Sequence, residues 1–497
     1  MILTCAEMRS VEERAFVRGS TAESLMDEAG EKVARAIRQF FPQPGIALIF
    51  FGKGHNGGDA LVAARHLGES GWMVHLIAAY PEEKWSQLTR KKFDEASRGH
   101  LGFPAKLSPQ PGKPIIAVDG LLGIGAAGPL RDPILRAAKL INSLRSSVNA
   151  YVFALDLPTG LDGDTGHVEQ DAVIADFTLT VGFGKTGLVA DGAANNVGRL
   201  AVLPLADLSA VADANANAAR LATPYELAAL LPRRNFDSHK GNYGRIGIVA
   251  GSRGFTGAAV MSASACVHAG GGLVVLYATP DIQPVLASIV APEVMVASVE
   301  SYREILHNNH DVLALGPGLG ESRKDEVAEL ITSWPRPMVV DADGLNIVSL
   351  NPDLLDRCAG PRLLTPHPGE MARLDADSKH RSRRATVESF TATHPVTLLL
   401  KGSRTVIGQG DQALSYNTTG NPGMASGGMG DVLTGVCAAL AGSGLALYDA
   451  ARLGAWICGR AAELAISHGS ESEESLSATL LIRHLGAAFR DLQAGCF

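Results

Sequence analysis

Apolar positions along the first part of the chain recur with two different periods. Leu25, Met26, Ala29, Val33, Ala34, Ile37 and Phe40 fall at helical spacing, which predicts an amphipathic helix. Ile46–Phe51 is an unbroken apolar run, the pattern of a strand buried on both faces. After a glycine-rich stretch, a helix is predicted over 59–67 and a strand over Met73–Ala78. That β-α-β succession predicts a parallel sheet. Further apolar strands at 115–118, Tyr151–Leu155 and Phe177–Val181 each run into a polar loop: Asp119-Gly120, Asp156-Leu157-Pro158-Thr159-Gly160 and Gly184-Lys185. Open α/β sheets bind ligands outside the carboxyl ends of their strands, so these loops are where a site is expected.

The pattern lapses over 209–222, which is rich in Ala, Asp and Asn, and its alanine content allows a helical linker. A boundary here divides the chain into domains at 1–215 and 220–497. The second starts afresh, with a strand over 245–250, a small-residue helix over 257–269 and a strand over Leu273–Ala278. Apolar runs then lead in turn into Gly316-Pro317-Gly318-Leu319-Gly320, Asp341-Ala342-Asp343-Gly344, Thr365-Pro366-His367-Pro368-Gly369-Glu370 and Lys401-Gly402. Residues 404–417, with Gly408-Gln409-Gly410-Asp411 between two apolar runs, read as a hairpin beside this second α/β sheet.

Composition narrows the function classes. The 497 residues exceed one ordinary core; 46% are hydrophobic and 19% charged, which is globular. The net charge of −7 and the 5% aromatic content argue against a nucleic-acid or membrane-surface partner. Cys5, Cys266, Cys358, Cys437, Cys458 and Cys496 are scattered without a C-x-x-C pair, the pattern of reduced thiols in a cytoplasmic protein. The N-terminal residues lack the basic and apolar regions of a signal peptide, and no apolar run is long enough to span a membrane.

The 55 glycines are concentrated partly in two loops that each end in an aspartate: Gly52-Lys53-Gly54-His55-Asn56-Gly57-Gly58-Asp59 and Gly427-Gly428-Met429-Gly430-Asp431. Each opens an apolar, helix-like run. N–H groups at a helix start attract anions, and glycine allows close approach, so two phosphate-bearing ligands are expected. Asp59 also suits a plain helix N-cap, and Asp119 and Asp156 suit strand-end turns. Asn56, Asp119 and Thr159 offer hard oxygen ligands for a cation that spacing leaves unidentified. A carboxylate fixed like Asp156 suits general acid–base work, and Asp431 beside an anion cradle suits proton removal from a hydroxyl during phosphoryl transfer. Lys53 and Lys185 read first as solvated lysines, and His367 as a turn residue.

Residues 52–65 (GKGHNGGDALVAAR), 118–131 (VDGLLGIGAAGPLR) and 155–166 (LDLPTGLDGDTG) resemble, in order, the motifs of the NAD(P)H-hydrate epimerase family, the YjeF N-terminal domain. The resemblance covers most of the first ~210 residues. It implies a Rossmann-like three-layer domain that interconverts the R and S epimers of hydrated NAD(P)H with the help of K+. Carried over, Asn56, Asp119 and Thr159 surround potassium. His55, Asn56, Gly57, Gly58 and Asp59, the run Gly123, Ile124, Gly125, Ala126, Ala127, Gly128 and Pro129, and Asp156 meet the substrate. Asp156 is the implied acid–base group. His55 stands where a second asparagine is usual, Ala60 where glycine is usual, and Thr159 where serine is usual.

The order Lys240-Gly241-Asn242-Tyr243-Gly244, Gly251-Ser252, Gly257-Ala258, the 316–320 glycines, His367-Pro368-Gly369-Glu370, Lys401-Gly402 and the Asp431 loop resembles the ADP/ATP-dependent NAD(P)H-hydrate dehydratase family. That family has a ribokinase-like α/β fold, phosphorylates the hydroxyl of the S-hydrate and eliminates phosphate. Its products are NAD(P)H, phosphate and AMP, or ADP when ATP is used. Carried over, Ala258, Gly318, His367 and Asp431 meet the hydrated cofactor. Lys401, Gly402, Ser403, Arg404, Thr405 and Gly430 meet the adenine nucleotide. Asp431 is the implied catalytic base, and Met429 stands where a small hydroxyl residue is usual. Together the resemblances imply a bifunctional, cytoplasmic, homo-oligomeric repair enzyme for hydrated NADH and NADPH, using K+ in one domain and Mg2+ with ADP or ATP in the other. The competing reading is a ribokinase-type small-molecule kinase fused to a non-catalytic Rossmann-like ligand-binding domain.

Overall fold

In a computed structural model of the protein, all residues are described except 97–99, 105–106, 108–111, 214–217 and 232. The chain divides into two units, Met1–Leu221 with Phe497, and Ala222–Cys496. Of the stretch read as a linker, residues 214–217 lie outside the described residues, and 206–211 form a short helix.

The first unit is built on a seven-stranded sheet, parallel throughout. In spatial order its strands are His100–Leu101, Met73–Ala78, Ile46–Phe51, Ile115–Gly120, Tyr151–Leu155, Phe177–Val181 and Arg199–Leu203. Both faces are covered, which explains the unbroken apolar strands. Ile49 and Phe51 join one core with Val33, Ile37 and Leu61, while Leu48 and Phe50 join another with Ile134 and Ile141. The chain adds strands on one side of Ile46–Phe51 and then returns to pair Ile115–Gly120 on the other. A crevice therefore opens where the strand order reverses, at the ends leading into Gly52 and Leu121.

In the second unit nine strands run in the order Ser415–Tyr416, Val406–Gln409, Thr397–Leu400, Arg362–Leu364, Met338–Val340, Val312–Leu315, Arg245–Val249, Leu273–Ala278 and Val294–Ser298. Pairing is parallel except at the hairpin, where Thr397–Leu400, Val406–Gln409 and Ser415–Tyr416 are antiparallel, as the glycine-centred pattern predicts. The reversal of strand order falls between Arg245–Val249 and Val312–Leu315. One face carries the helices Thr256–His268, Met429–Gly442, Leu447–Ser467 and Ala478–Gln493 around a continuous apolar core. Residues 432–441 are buried all round, so this helix is apolar on every side. Gly435 lets it approach Thr256–His268 closely, since a Cβ there would lie 2.1 Å from the Ser262 carbonyl oxygen.

Two helix starts differ from the sequence expectation. The first-unit helix spans His55–Glu69 with Gly54 as N-cap, and the second-unit helix spans Met429–Gly442 with Gly428 as N-cap. The "loop" residues His55, Asn56, Gly57 and Gly58 are therefore the first helical turn, and Asp59 is not an N-cap. Glycine's weak helix propensity hid both turns from the periodicity.

Candidate active sites

At the reversal point of the first sheet, the fold joins residues from three loops by hydrogen bonds. Asn56 Nδ2 donates to the Leu122 carbonyl at 2.7 Å, and the Leu122 N–H donates to Thr159 Oγ1 at 3.2 Å. Thr159 Oγ1 donates to Asp119 Oδ1 at 2.8 Å, while its N–H donates to Oδ2 at 2.8 Å. Asp119 is wholly buried, and that burial raises its carboxyl to about 6 against the opposing pull of the Thr159 and Leu121 donors. Asn56 Oδ1 is buried without a hydrogen-bond partner. An unsatisfied amide oxygen beside a buried carboxylate and a hydroxyl is a donor set for a hard cation.

Around it lie the other first-site residues. Gly57 and Gly58 are buried in the opening turn, where a Cβ would meet the Gly52 carbonyl oxygen at 2.3 Å and the Met26 side chain at 2.4 Å. The N–H groups of His55, Asn56 and Gly57 precede the helical ladder and can meet an anion, while that of Gly58 donates to the Gly54 carbonyl at 3.1 Å. Gly123, Ile124 and Ala126 are half-buried, and Gly125, Ala127, Gly128 and Pro129 are exposed. A cavity of about 410 Å³ borders this run and is lined by Tyr80, Ala126, Pro129, Arg131 and Gly160, among others. Lys53 is exposed, with its ammonium 5.3 Å from the centre of the Tyr80 ring.

Asp156 leaves its strand in the left-handed region, with φ +65°. Its Oδ1 accepts from Lys185 Nζ, from the Val181 N–H at 3.2 Å and from Thr180 Oγ1 at 3.3 Å. Lys185 is 1% exposed, which overturns its reading as a solvated lysine. Burial, then the charge of Asp156, raises the Asp59 carboxyl well above its ordinary range. Burial likewise raises Glu12, which faces the same pair.

In the second unit, Gly428 takes φ +89° and starts a helix whose first turn is Met429, Gly430 and Asp431. A Cβ on Gly428 would strike Met261 Sδ at 2.4 Å. Lys401 lies under this turn: a Cβ on Gly430 would sit 3.2 Å from Lys401 Nζ and 3.4 Å from Asp341 Oδ2. The ammonium is held by Asp341 Oδ1 at 2.8 Å, with Glu370 Oε2 at 3.8 Å. Burial, then the charge of Asp341, raises Asp431 to about 6, while Lys401 pulls it down. Helix N-terminus, ammonium and carboxyl group thus converge on one spot, an arrangement that suits holding a transferring phosphoryl group beside a proton acceptor.

The other expected residues distribute around this centre. Gly318 and Ala258 adjoin at the sheet reversal, since a Cβ on Gly318 would sit 3.1 Å from Ala258 Cβ. Ser252 Oγ donates to the Gly318 carbonyl at 2.8 Å. His367 serves the turn it was read as, capping Pro368–Leu374: Nδ1 accepts from the Gly369 N–H at 2.9 Å and the Glu370 N–H at 3.3 Å. Its Nε2 lies 3.6 Å from Glu370 Oε1. Gly402 and Ser403 are exposed, while Arg404 and Thr405 are buried at the start of a strand. Among the described residues no group of three or more His, Cys, Asp or Glu is placed to hold a metal ion. No described helix is long and apolar enough to cross a membrane.

Sequence reasoning missed Lys185 and Asp341 as site residues. Asp341 carries a strand-end signal, since Met338–Val340 runs straight into Asp341-Ala342-Asp343. Ala342 has φ +47°, and this turn sends Asp341 to Lys401 and Thr434, and Asp343 to the Gly320 N–H at 2.8 Å. Lys185 carries no local signal, because its partner lies 29 residues earlier.

Comparison with known proteins finds a match in each unit. Residues 22–187 match the model of the YjeF-related protein N-terminus, and residues 246–485 match that of NAD(P)H-hydrate dehydratase. The bifunctional NAD(P)H-hydrate repair enzyme Nnr of Moorella thermoacetica is 36% identical, the alignment covering 94% of this chain and 92% of that one. Its Escherichia coli counterpart is 35% identical over 92% of this chain and 88% of its own. A solved ADP/ATP-dependent NAD(P)H-hydrate dehydratase from Bacillus subtilis, co-crystallised with ATP and Mg2+, is 27% identical with a TM-score of 0.49 and covers 56% of this chain and 100% of that one. Matched in both units by these family models and along nearly its whole length by the two Nnr enzymes, the chain belongs to the family of bifunctional NAD(P)H-hydrate repair enzymes.

Proposed function

We propose that the first unit equilibrates the R and S epimers of hydrated NADH and NADPH, and that the second dehydrates the S form at the expense of ADP or ATP. The observation carrying this reading is the pairing of two unlike sites in one chain. One is an oxygen-rich cation pocket beside a strand-end carboxylate; the other is a base at a helix N-terminus with an ammonium beneath it.

In the first site, Asn56, Asp119 and Thr159 would hold K+, which fits the unsatisfied Asn56 Oδ1. The ion supplies charge that offsets the buried Asp119 and fixes the loops meeting the substrate. The first turn of His55–Glu69 and the 123–129 run receive the dinucleotide. Asp156 takes the hydroxyl proton as the bond from that carbon to the ring nitrogen breaks, giving an aldehyde and a nitrogen that picks up a proton. It returns the proton to oxygen when the nitrogen, losing its own, re-adds to the other face. Isomerisation has no net proton change, so one carboxylate suffices.

In the second site Asp431 takes the proton of the S-hydrate hydroxyl, whose oxygen bonds to the terminal phosphorus of the nucleotide as the bridging P–O bond breaks. AMP or ADP leaves. Loss of phosphate and a ring proton from the ester then restores the double bond of NAD(P)H. The Gly428–Asp431 turn and Lys401 stabilise the transferring group, and Gly318, Ala258 and His367 contact the hydrated ring or its dinucleotide. Gly402, Ser403, Arg404 and Thr405 approach the adenine nucleotide. Mg2+ would travel on the nucleotide phosphates, where it neutralises charge.

The test is a mixture of R- and S-hydrated NADH with K+, Mg2+ and ADP or ATP, followed at 340 nm. Complete recovery of NADH is expected. Recovery of the S fraction alone, after subtracting spontaneous epimerisation, would remove the epimerase assignment, and a stable phosphorylated product without NADH would favour the kinase reading.

A further inference from the structure

Lys185 is placed as few lysines are. Its side chain is 1% exposed, and the ammonium's three protons are matched by three acceptors: Asp156 Oδ1, the Val181 carbonyl at 2.8 Å and Thr180 Oγ1 at 3.1 Å. The Val181 N–H and Thr180 Oγ1 also approach Asp156 Oδ1, so three donors crowd one carboxylate oxygen. Among the described residues no donor is bonded to Asp156 Oδ2. The carboxylate is 13% exposed, and its backbone is held at φ +65° with the N–H donating to the Leu179 carbonyl at 2.9 Å. Backbone and ammonium together leave this side chain little freedom.

We propose that Lys185 is a positioning residue for epimerisation: its ammonium clamps Asp156 through Oδ1 and leaves Oδ2 as the atom that exchanges the substrate proton. This rests on the reading of Asp156 as the acid–base group. The other ionisable groups near the pair are Asp59, Glu12, Cys5 and Asp164, with Arg9 acting on Glu12. Burial raises Asp59, Glu12 and Cys5, which disfavours their charged forms. The geometry matters because a carboxylate free to rotate would present either oxygen, and a proton acceptor misplaced by about 1 Å loses on the order of 100-fold in rate.

A double-mutant cycle on the full chain tests this, with R-hydrated NADH as substrate, K+ present and the chain's own dehydratase as the coupling step. Lys185→Met is expected to lower the epimerisation kcat about 100-fold with KM changed less than about threefold. In an Asp156→Asn background the same substitution should cost nothing further, because the clamp then has nothing to orient. Independent, multiplicative losses would overturn the proposal, as would a wild-type kcat in Lys185→Met. If the isolated charge prevents Lys185→Met from folding, Lys185→Arg retains a cation with displaced donors and should show the same selective loss of kcat; a wild-type kcat there would also overturn it. Normal epimerisation by Asp156→Asn alone would instead sink the reading of Asp156 on which the clamp depends. Dehydration of S-hydrated NADH by each variant reports the second unit and should be unchanged.

Discussion

Lys401 Nζ lies 2.8 Å from Asp341 Oδ1, and the other oxygen of that carboxylate accepts from Thr434 Oγ1 at 2.9 Å. Asp341 is 2% exposed, so the contact holds the ammonium from below the turn that carries Asp431. Asp341→Asn would leave the lysine in place with a weaker partner, whereas Lys401→Met removes the charge. We expect Lys401→Met to lower the dehydratase kcat by roughly 100- to 1,000-fold, the scale of losing one stabilising donor to a transferring group. Asp341→Asn should lose less, and epimerisation should be unaffected in both. Equal dehydration by wild type and Lys401→Met would show that the ammonium plays no part in the chemistry.

Asp431 must be ionised to act as a base, and burial together with Asp341 raises it to about 6. The ionised fraction, and with it dehydratase kcat/KM, should fall as pH drops through about 6 and level off above it. Asp431→Asn should abolish dehydration and this pH limb while epimerisation continues. A kcat/KM profile that stays flat from about one pH unit below 6 to about two above it would contradict the assignment.

Ala342 sits at φ +47° and ψ −119°, backbone that an L-residue adopts at a cost and glycine adopts freely. Ala342→Gly should therefore stabilise the second unit by about 1 kcal/mol, against the usual direction for a glycine introduced into a folded chain. Thermal unfolding measures this directly. A lower midpoint would mean that packing around the Ala342 methyl outweighs the relief of strain.

Asn56→Ala removes the proposed K+ ligand whose oxygen is left without a partner, and Thr159→Val removes the hydroxyl that donates to Asp119. Both should raise the K+ concentration for half-maximal epimerisation by about tenfold, equivalent to about 1.4 kcal/mol. Dehydration serves as the internal control. An unchanged K+ response in Asn56→Ala would dissociate potassium from this pocket.

The order of strands and the polar loops at their ends could be read from the chain because strands buried on both faces leave long apolar runs, and ligand loops interrupt them with glycine and aspartate. The strand over 46–51 and the glycine-rich stretches that end in Asp59 and Asp431 were legible as such for that reason. What stayed hidden has physical causes. The first helical turns at His55 and Met429 are glycine-rich and break the apolar period, so both helices begin earlier than the pattern indicates. The positive φ of Asp156 and Ala342 leaves no mark in the sequence, since neither position carries the glycine that would announce it. Lys185 is found only through the distant Asp156, since an isolated lysine reads as solvated until the fold encloses it.

Asn56 is followed by Gly57, the dipeptide most open to spontaneous loss of ammonia, because a glycine nitrogen meets little hindrance in attacking the preceding amide carbon. Here the same pair lies in the first turn of a helix, with the amide nitrogen engaged by the Leu122 carbonyl at 2.7 Å. That geometry keeps the attacking nitrogen away from its target, so folding protects the side chain from chemical ageing. Partial unfolding would lift the protection and convert the neutral ligand to an aspartate beside the buried Asp119. Peptide mass analysis after prolonged incubation should find position 56 intact in folded protein and deamidated in denatured protein. At the pocket proposed for K+, the fold of this repair enzyme thus slows a spontaneous chemical change in its own chain.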